Sequence, residues 1–173
     1  MLIISAPIQL VTAIVIKAYD GGPVLYKQIR CTKDRREFEI MKFRSMRTDA
    51  EKDGVARLAA KNDSRITPIG KFIRKVRIDE LPQLFNIFLG DMSIVGPRPA
   101  LESEVAEYKE HHKIRLQVKQ GLTCYWQIQP NRNQLSFDEW LELDIKYINE
   151  RCFLTDWKII FATIGAVLGM DGI

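Results

Sequence analysis

The sequence predicts an α+β fold, mostly helical, and three observations carry that prediction. Met1 to Ile16 carry no charged side chain. Between Val24 and Met46, apolar and polar residues alternate on either side of a charged turn, the period of a half-buried strand pair. From Thr67 onward, capping residues repeatedly open runs with apolar residues at helical spacing. At 173 residues the chain is long enough for one domain with a sizeable core, and no repeat, low-complexity tract or long linker divides it.

The first segment, "MLIISAPIQLVTAIVIKAY", spans about 24 Å as a helix up to Lys17, short of a ~30 Å hydrocarbon core. Pro7 lies inside it and is expected to break or kink the helix. No basic residue precedes the apolar run, as a signal peptide requires. A re-entrant or interfacial membrane helix broken at Pro7 is favoured over a buried core helix, which length alone leaves open. After the turn signal "DGGP", "VLYKQIRC" and "FEIMKFRSM" flank "TKDRRE" and read as a small β-hairpin. The polar, Ala-rich stretch 47–66 reads as helix plus loop.

Thr67-Pro68 is a helix start, with threonine as cap and proline at the first helical position. Ile69, Phe72, Ile73 and Val76 then share one face and cations the other, the pattern of a basic amphipathic helix at an anionic surface. Pro82 disfavours helix at Leu81, so a new helix is expected from Pro82 to the C′ residue Gly90. Leu101 to Lys119 reads as one amphipathic helix ended by Gly121. Ser136 with Glu139 forms a capping box for the next helix. The apolar tail opens with Thr155 or Asp156 as cap.

A net charge of +4 fits anionic partners such as phosphates, nucleic acid or acidic lipid, without choosing among them. Cys31, Cys124 and Cys152 are odd in number and far apart, which points to neither a disulfide framework nor a zinc site. His111 and His112 lie in a polar run and read as solvated surface.

Asp79-Glu80 stand at the junction of two helices, just after Arg74, Lys75 and Arg77. That setting predicts an ionised aspartate at neutral pH. Such a carboxylate can attack phosphorus or hold Mg²⁺ against substrate phosphates; capping and surface pairing are the plainer uses of the same dipeptide. Gly96-Pro97-Arg98-Pro99 adds an arginine stiffened on both sides, suited to gripping phosphate bidentately. In "KFRSMR", strand alternation puts Lys42 and Arg44 on one face.

"GPVLYKQIR", "KFRSM", "NDSRITPIGKFIRKVRIDELPQLFNIFLGDMSIVGPRPA" and "RLQVKQGLTCYWQI…LSFDEWLELDIKYI" together resemble the bacterial sugar transferases, the monotopic polyprenyl-phosphate phosphoglycosyl transferases. The resemblance implies a membrane-associated helix over residues 1–19 and a catalytic domain over 20–173. It implies Mg²⁺-dependent transfer of a hexose-1-phosphate from a UDP-sugar to a polyprenyl phosphate, with release of UMP. Asp79 corresponds to the nucleophile that forms a covalent phosphosugar intermediate, and Glu80 to the residue placed at the Mg²⁺. Arg98 corresponds to a phosphate contact, and Lys42, Arg44, Arg74 and Arg77 are expected to add further phosphate contacts. The implied setting is membrane lipid at the cytoplasmic face of a bacterial inner membrane, without nucleic acid; the apolar tail suggests a homodimer.

Relative to the family pattern the helix preceding Pro7 is short, which reads as a truncated anchor. Ser64 replaces a proline, Cys124 a glycine, and Pro130-Asn131 a glycine before Arg132. A non-catalytic basic module would explain the charge and the amphipathic helices, but neither the dyad nor the rigid Arg98 loop.

Overall fold

The computed structural model describes residues 1–50, 63–129 and 134–169. Helix α1 (Leu2–Asp20) ends at Gly21, whose left-handed φ of 70° lets its N–H reach back to the Lys17 carbonyl at 3.0 Å. The expected break at Pro7 is absent: the helix continues through it. The missing N–H of Pro7 removes a single ladder bond, to the Ile3 carbonyl.

Only the C-terminal part of α1 is packed. Ile16 joins Phe43 and Ile73 in a core cluster that also gathers Ala13, Val24, Leu25, Ile69, Ile78 and Leu81. Ile3, Ile4, Ile8, Leu10, Val11 and Ile14 remain exposed.

Strands β1 (Leu25–Cys31) and β2 (Glu37–Phe43) pair antiparallel from Leu25↔Phe43 to Cys31↔Glu37, as the alternation predicts. Their turn uses left-handed Asp34 and Arg35. The region of 47–66 expected to form helix plus loop falls largely at 51–62, outside the described residues.

Helix α2 (Pro68–Lys75) is capped as expected: Thr67 Oγ1 accepts the Gly70 N–H at 2.9 Å. Gly70 lies so close to the chain after the hairpin that a Cβ there would meet the Ser45 carbonyl oxygen at 1.8 Å. Helix α3 (Gln83–Leu89) closes at Gly90, φ 86°. The buried Asn86 fixes it to the hairpin by accepting the Met41 N–H at 3.0 Å and donating to the Glu39 carbonyl at 2.8 Å. Its amide thus pairs with β2 as a neighbouring strand would.

Strands β3 (Ser93–Val95) and β4 (Gly121–Thr123) form a short parallel pair. Between them, the single helix expected over 101–119 is replaced by α4 (Glu102–Ala106) and a 3₁₀ helix over Glu110–Gln117. Within and just after the 3₁₀ segment, His112, Arg115 and Val118 are buried at three-residue spacing, which three residues per turn satisfies and 3.6 does not. His112 is therefore no surface residue. It packs edge-on to Tyr108 and Phe137, while its Nδ1 accepts the Lys109 N–H at 3.3 Å.

Helix α5 (Phe137–Glu150) carries the expected Ser136–Glu139 capping box. Helix α6 (Phe153–Leu168) starts one turn earlier than the Thr155 or Asp156 cap implied, with Cys152 as N-cap. Thr155 instead bonds back to the Glu150 carbonyl at 2.9 Å. The helix buries Ile159 against Val95 and Tyr147 and leaves Phe153, Trp157 and Phe161 exposed as a row of touching rings.

Candidate active site

A cavity of about 480 Å³ opens on the face of the hairpin that carries Tyr26, Gln28 and Arg30 of β1 beside Ile40 and Lys42 of β2. Arg74, Asp79 and Arg98 complete its wall. Asp79 reaches it through Arg77, which takes a left-handed φ of 54° between α2 and the 3₁₀ turn Ile78–Glu80, while Glu80 meets the wall through its bond to Lys42. A non-glycine residue held there is strained, and the strain reverses the chain so that Asp79 turns inward. Arg77 is braced in this conformation by its bond to the Gln127 carbonyl at 3.1 Å.

The two carboxylates differ in environment. Asp79 is buried, 9% exposed, and that burial, reinforced by the neighbouring charge of Glu80, pushes its pKa up to about 7 against the pull of Lys42 and Arg74. The aspartate expected to be ionised at neutral pH therefore titrates near neutrality. Burial acts on Glu80 as well, but Lys42, bonded to it at 2.8 Å, together with the charges of Arg77 and Arg98, outweighs burial and holds its pKa below the usual range. Glu80 is the ionised member of the pair.

The expected phosphate contacts separate in the same way. Lys42, Arg74 and Arg98 line the cavity with Asp79. Arg74 Nη1 is buried without a hydrogen-bond partner among the described residues. Arg44 also borders the cavity, but its guanidinium is engaged elsewhere. It donates to both Asp20 carboxylate oxygens, through Nη1 at 2.6 Å and through Nη2, and through Nε to the Pro23 carbonyl at 2.5 Å. Arg44 therefore ties the end of α1 to the hairpin instead of facing a ligand. Arg77 is not on the cavity wall and reaches the site only through its charge on Glu80.

Tyr26, Gln28 and Arg30, which no sequence expectation placed at the site, share one face of the strand by their two-residue spacing. Arg30 donates to Gln28 Oε1 at 2.6 Å and lies 4.0 Å from Glu104, so this part of the wall is an ordered polar group. Cys124, in place of a family glycine, is buried without a left-handed φ, so the chain makes this turn with a side chain present. Pro130, Asn131 and Arg132 lie outside the described residues.

Among the described residues, no three His, Cys, Asp or Glu side chains gather into a cage for a metal. Mg²⁺ characteristically takes one or two carboxylates and completes its shell with water and substrate phosphate. An ionised Glu80 with Asp79 adjacent fits that mode of binding.

The chain matches the model of the family described as bacterial sugar transferase over residues 1–170. It is 46% identical over 159 residues to a galactosyl transferase of Streptococcus agalactiae, covering 86% of this chain and 35% of that protein. It is 39% identical over 171 residues to the UDP-glucose:undecaprenyl-phosphate glucose-1-phosphate transferase of Klebsiella pneumoniae, covering 95% of this chain and 37% of that one. An uncharacterized sugar transferase of Bacillus subtilis is 40% identical over 173 residues, covering all of this chain and 84% of its own. The chain thus spans little more than a third of the two longer relatives. A family match over nearly every residue, with Asp79 buried on a cation-lined cavity, leads to one assignment: the chain belongs to the bacterial sugar transferase family.

Proposed function

We propose that the protein transfers a hexose-1-phosphate from a UDP-sugar to a polyprenyl phosphate, such as undecaprenyl phosphate, at the cytoplasmic face of a bacterial inner membrane. The product would be the first lipid-linked unit of a glycan. One observation carries the reading: the buried Asp79 opens onto a cavity that Lys42, Arg74 and Arg98 make positive. The names of the longer relatives support a UDP-hexose donor and an undecaprenyl-phosphate acceptor. The exposed apolar helix α1, long and apolar enough to cross a membrane, supports a site at a bilayer surface.

The chemistry runs in two displacements. In the first, a carboxylate oxygen of Asp79 attacks the phosphorus that bears the sugar. A carboxylate–phosphorus bond forms and the bond to the UMP phosphate breaks, its electron pair leaving with UMP. In the second, a phosphate oxygen of the lipid attacks the same phosphorus, forming the diphosphate and returning Asp79 as a carboxylate. Lys42 and Arg74 favour the ionised nucleophile, while Arg98 and Arg74 are the donors available to the diphosphate. Mg²⁺ held by Glu80 would supply neutralising charge at the diphosphate as the leaving group departs.

UMP release from a panel of UDP-sugars, with undecaprenyl phosphate in detergent and Mg²⁺, tests the reading. Release that requires both the lipid and Asp79 is expected. Normal turnover by Asp79→Asn would remove the covalent step, and no release from any donor by folded protein would remove the activity.

A further inference from the structure

The loop that presents Arg98 is held by four consecutive carbonyl oxygens. Pro97 accepts the Gly121 N–H at 2.9 Å and Ala100 accepts the Cys31 N–H at 2.9 Å. Pro99 accepts from Arg30 Nη1 at 3.3 Å, and Arg98 itself accepts from Arg115 Nη2 at 3.4 Å. The outer two donors are backbone groups at strand ends. Arg115 is a side chain from the 3₁₀ helix Glu110–Gln117, and it holds the residue that faces the cavity.

Arg115 is itself closely fixed. Its Nη1 donates to the Tyr108 hydroxyl at 2.7 Å, and its Nη2 lies 2.7 Å from Asp144 Oδ2 on α5. Gln120 Nε2 donates to its carbonyl at 2.7 Å. Asp144 is completely buried and Arg115 is 7% exposed. A buried ion pair gains little over apolar packing of the same volume, so stability alone gives a poor account of this one. What apolar packing could not supply is a rigid donor aimed at the Arg98 backbone. The pair also shapes the field there, since the charges of Asp144 and Arg98 act on each other directly.

We propose that Arg115 and Asp144 are positioning residues for transfer: Asp144 orients Arg115, and Arg115 fixes the Arg98 backbone so that its guanidinium meets the donor diphosphate. This rests on the phosphoglycosyl transferase reading given above. Neither residue touches the cavity; both act through Arg98. A displacement of the order of 1 Å at such a group lowers the rate by about 100-fold.

The test is a double-mutant cycle between Asp144→Asn, which keeps the side-chain shape, and Arg98→Ala, read on kcat/KM for the UDP-sugar. Asp144→Asn alone is expected to reduce kcat/KM by about 10- to 100-fold, chiefly through the donor KM. In the Arg98→Ala background the same change is expected to matter by less than about threefold. Full activity of Asp144→Asn, or a loss that multiplies unchanged with that of Arg98→Ala, overturns the proposal, because a general structural role does not depend on Arg98. If Asp144→Asn does not fold, Tyr108→Phe, which removes one bond to Arg115, carries the same cycle with the same expectation. If the wild type releases no UMP from any donor, the activity reading fails by itself. The cycle is then read on UDP binding by calorimetry, where additivity, or absence of UDP binding to the wild type, overturns the positioning role.

Discussion

At Asp79, burial opposes the surrounding cations, and burial prevails far enough to bring the carboxyl to about 7. In the proposed mechanism only the carboxylate attacks phosphorus, so kcat/KM should climb with pH through an acid limb near 7. Removing the cation that pulls the group down, in Lys42→Met, should move that limb upward, as a pH–rate series would register. The same contest has a thermodynamic side. The folded pKa lies above the unfolded value near 4, so the stability this group contributes is present below pH 4 and is lost as pH rises through 7. Asp79→Asn, which cannot ionise, should melt above wild type at pH 8, with the difference shrinking by pH 5. Equal melting temperatures at pH 8 would mean that the carboxylate is better compensated than its burial implies. Adjacent carboxylates among cations were plain in the sequence. That Arg44 is taken by Asp20, 24 residues away, and that Arg77 stops short of the cavity were not, because both depend on contacts across the fold.

At the level of elements, what could be read from sequence is local, and what could not is tertiary. Thr67, the Ser136–Glu139 box, Gly90 and the hairpin alternation each act within a few residues, and each forms as expected. The 3₁₀ helix at Glu110–Gln117 instead follows from burying His112, Arg115 and Val118 together, and the earlier start of α6 from Thr155 turning back to Glu150. Between α3 and β2, beside the packing of Ile87 on Phe38 and Ile40, the hydrogen bonds likewise come from a side chain with no sequence signature. Asn86→Ala removes both its backbone bonds and leaves the Met41 N–H and Glu39 carbonyl unpaired, so a loss of about 2–4 kcal/mol is expected by denaturant titration in detergent. Gly121 is a second such point: a Cβ there would lie 2.1 Å from the Gly96 nitrogen. Gly121→Ala should force β3 and β4 apart and lower activity through the Arg98 loop, whereas Gly90→Ala, with open space around it, should cost only its left-handed backbone, about 1 kcal/mol.

For the molecule as a whole, the division within α1 sets the orientation. Its last turns pack on the hairpin through Ile16, and its first three turns present isoleucine, leucine and valine outward. Replacing Ile4 and Ile8 by Gln should weaken sedimentation with phosphatidylglycerol-containing vesicles by about tenfold per residue, with folding of the hairpin unchanged. Retention of full vesicle binding would assign the attachment to other apolar surface, such as the ring row on α6.

The bridge from Asp20 to Arg44 stands two residues from Lys42, which grips Glu80 beside Asp79. Where α1 lies in a bilayer, this short run of contacts sets the height of Asp79 and Glu80 above it. In the proposed reaction a lipid-borne acceptor then arrives by lateral diffusion within a plane, and encounter frequency follows its density in the membrane surface. Thinning the acceptor with inert lipid should slow turnover, while diluting the whole vesicle suspension should leave the rate per enzyme unchanged.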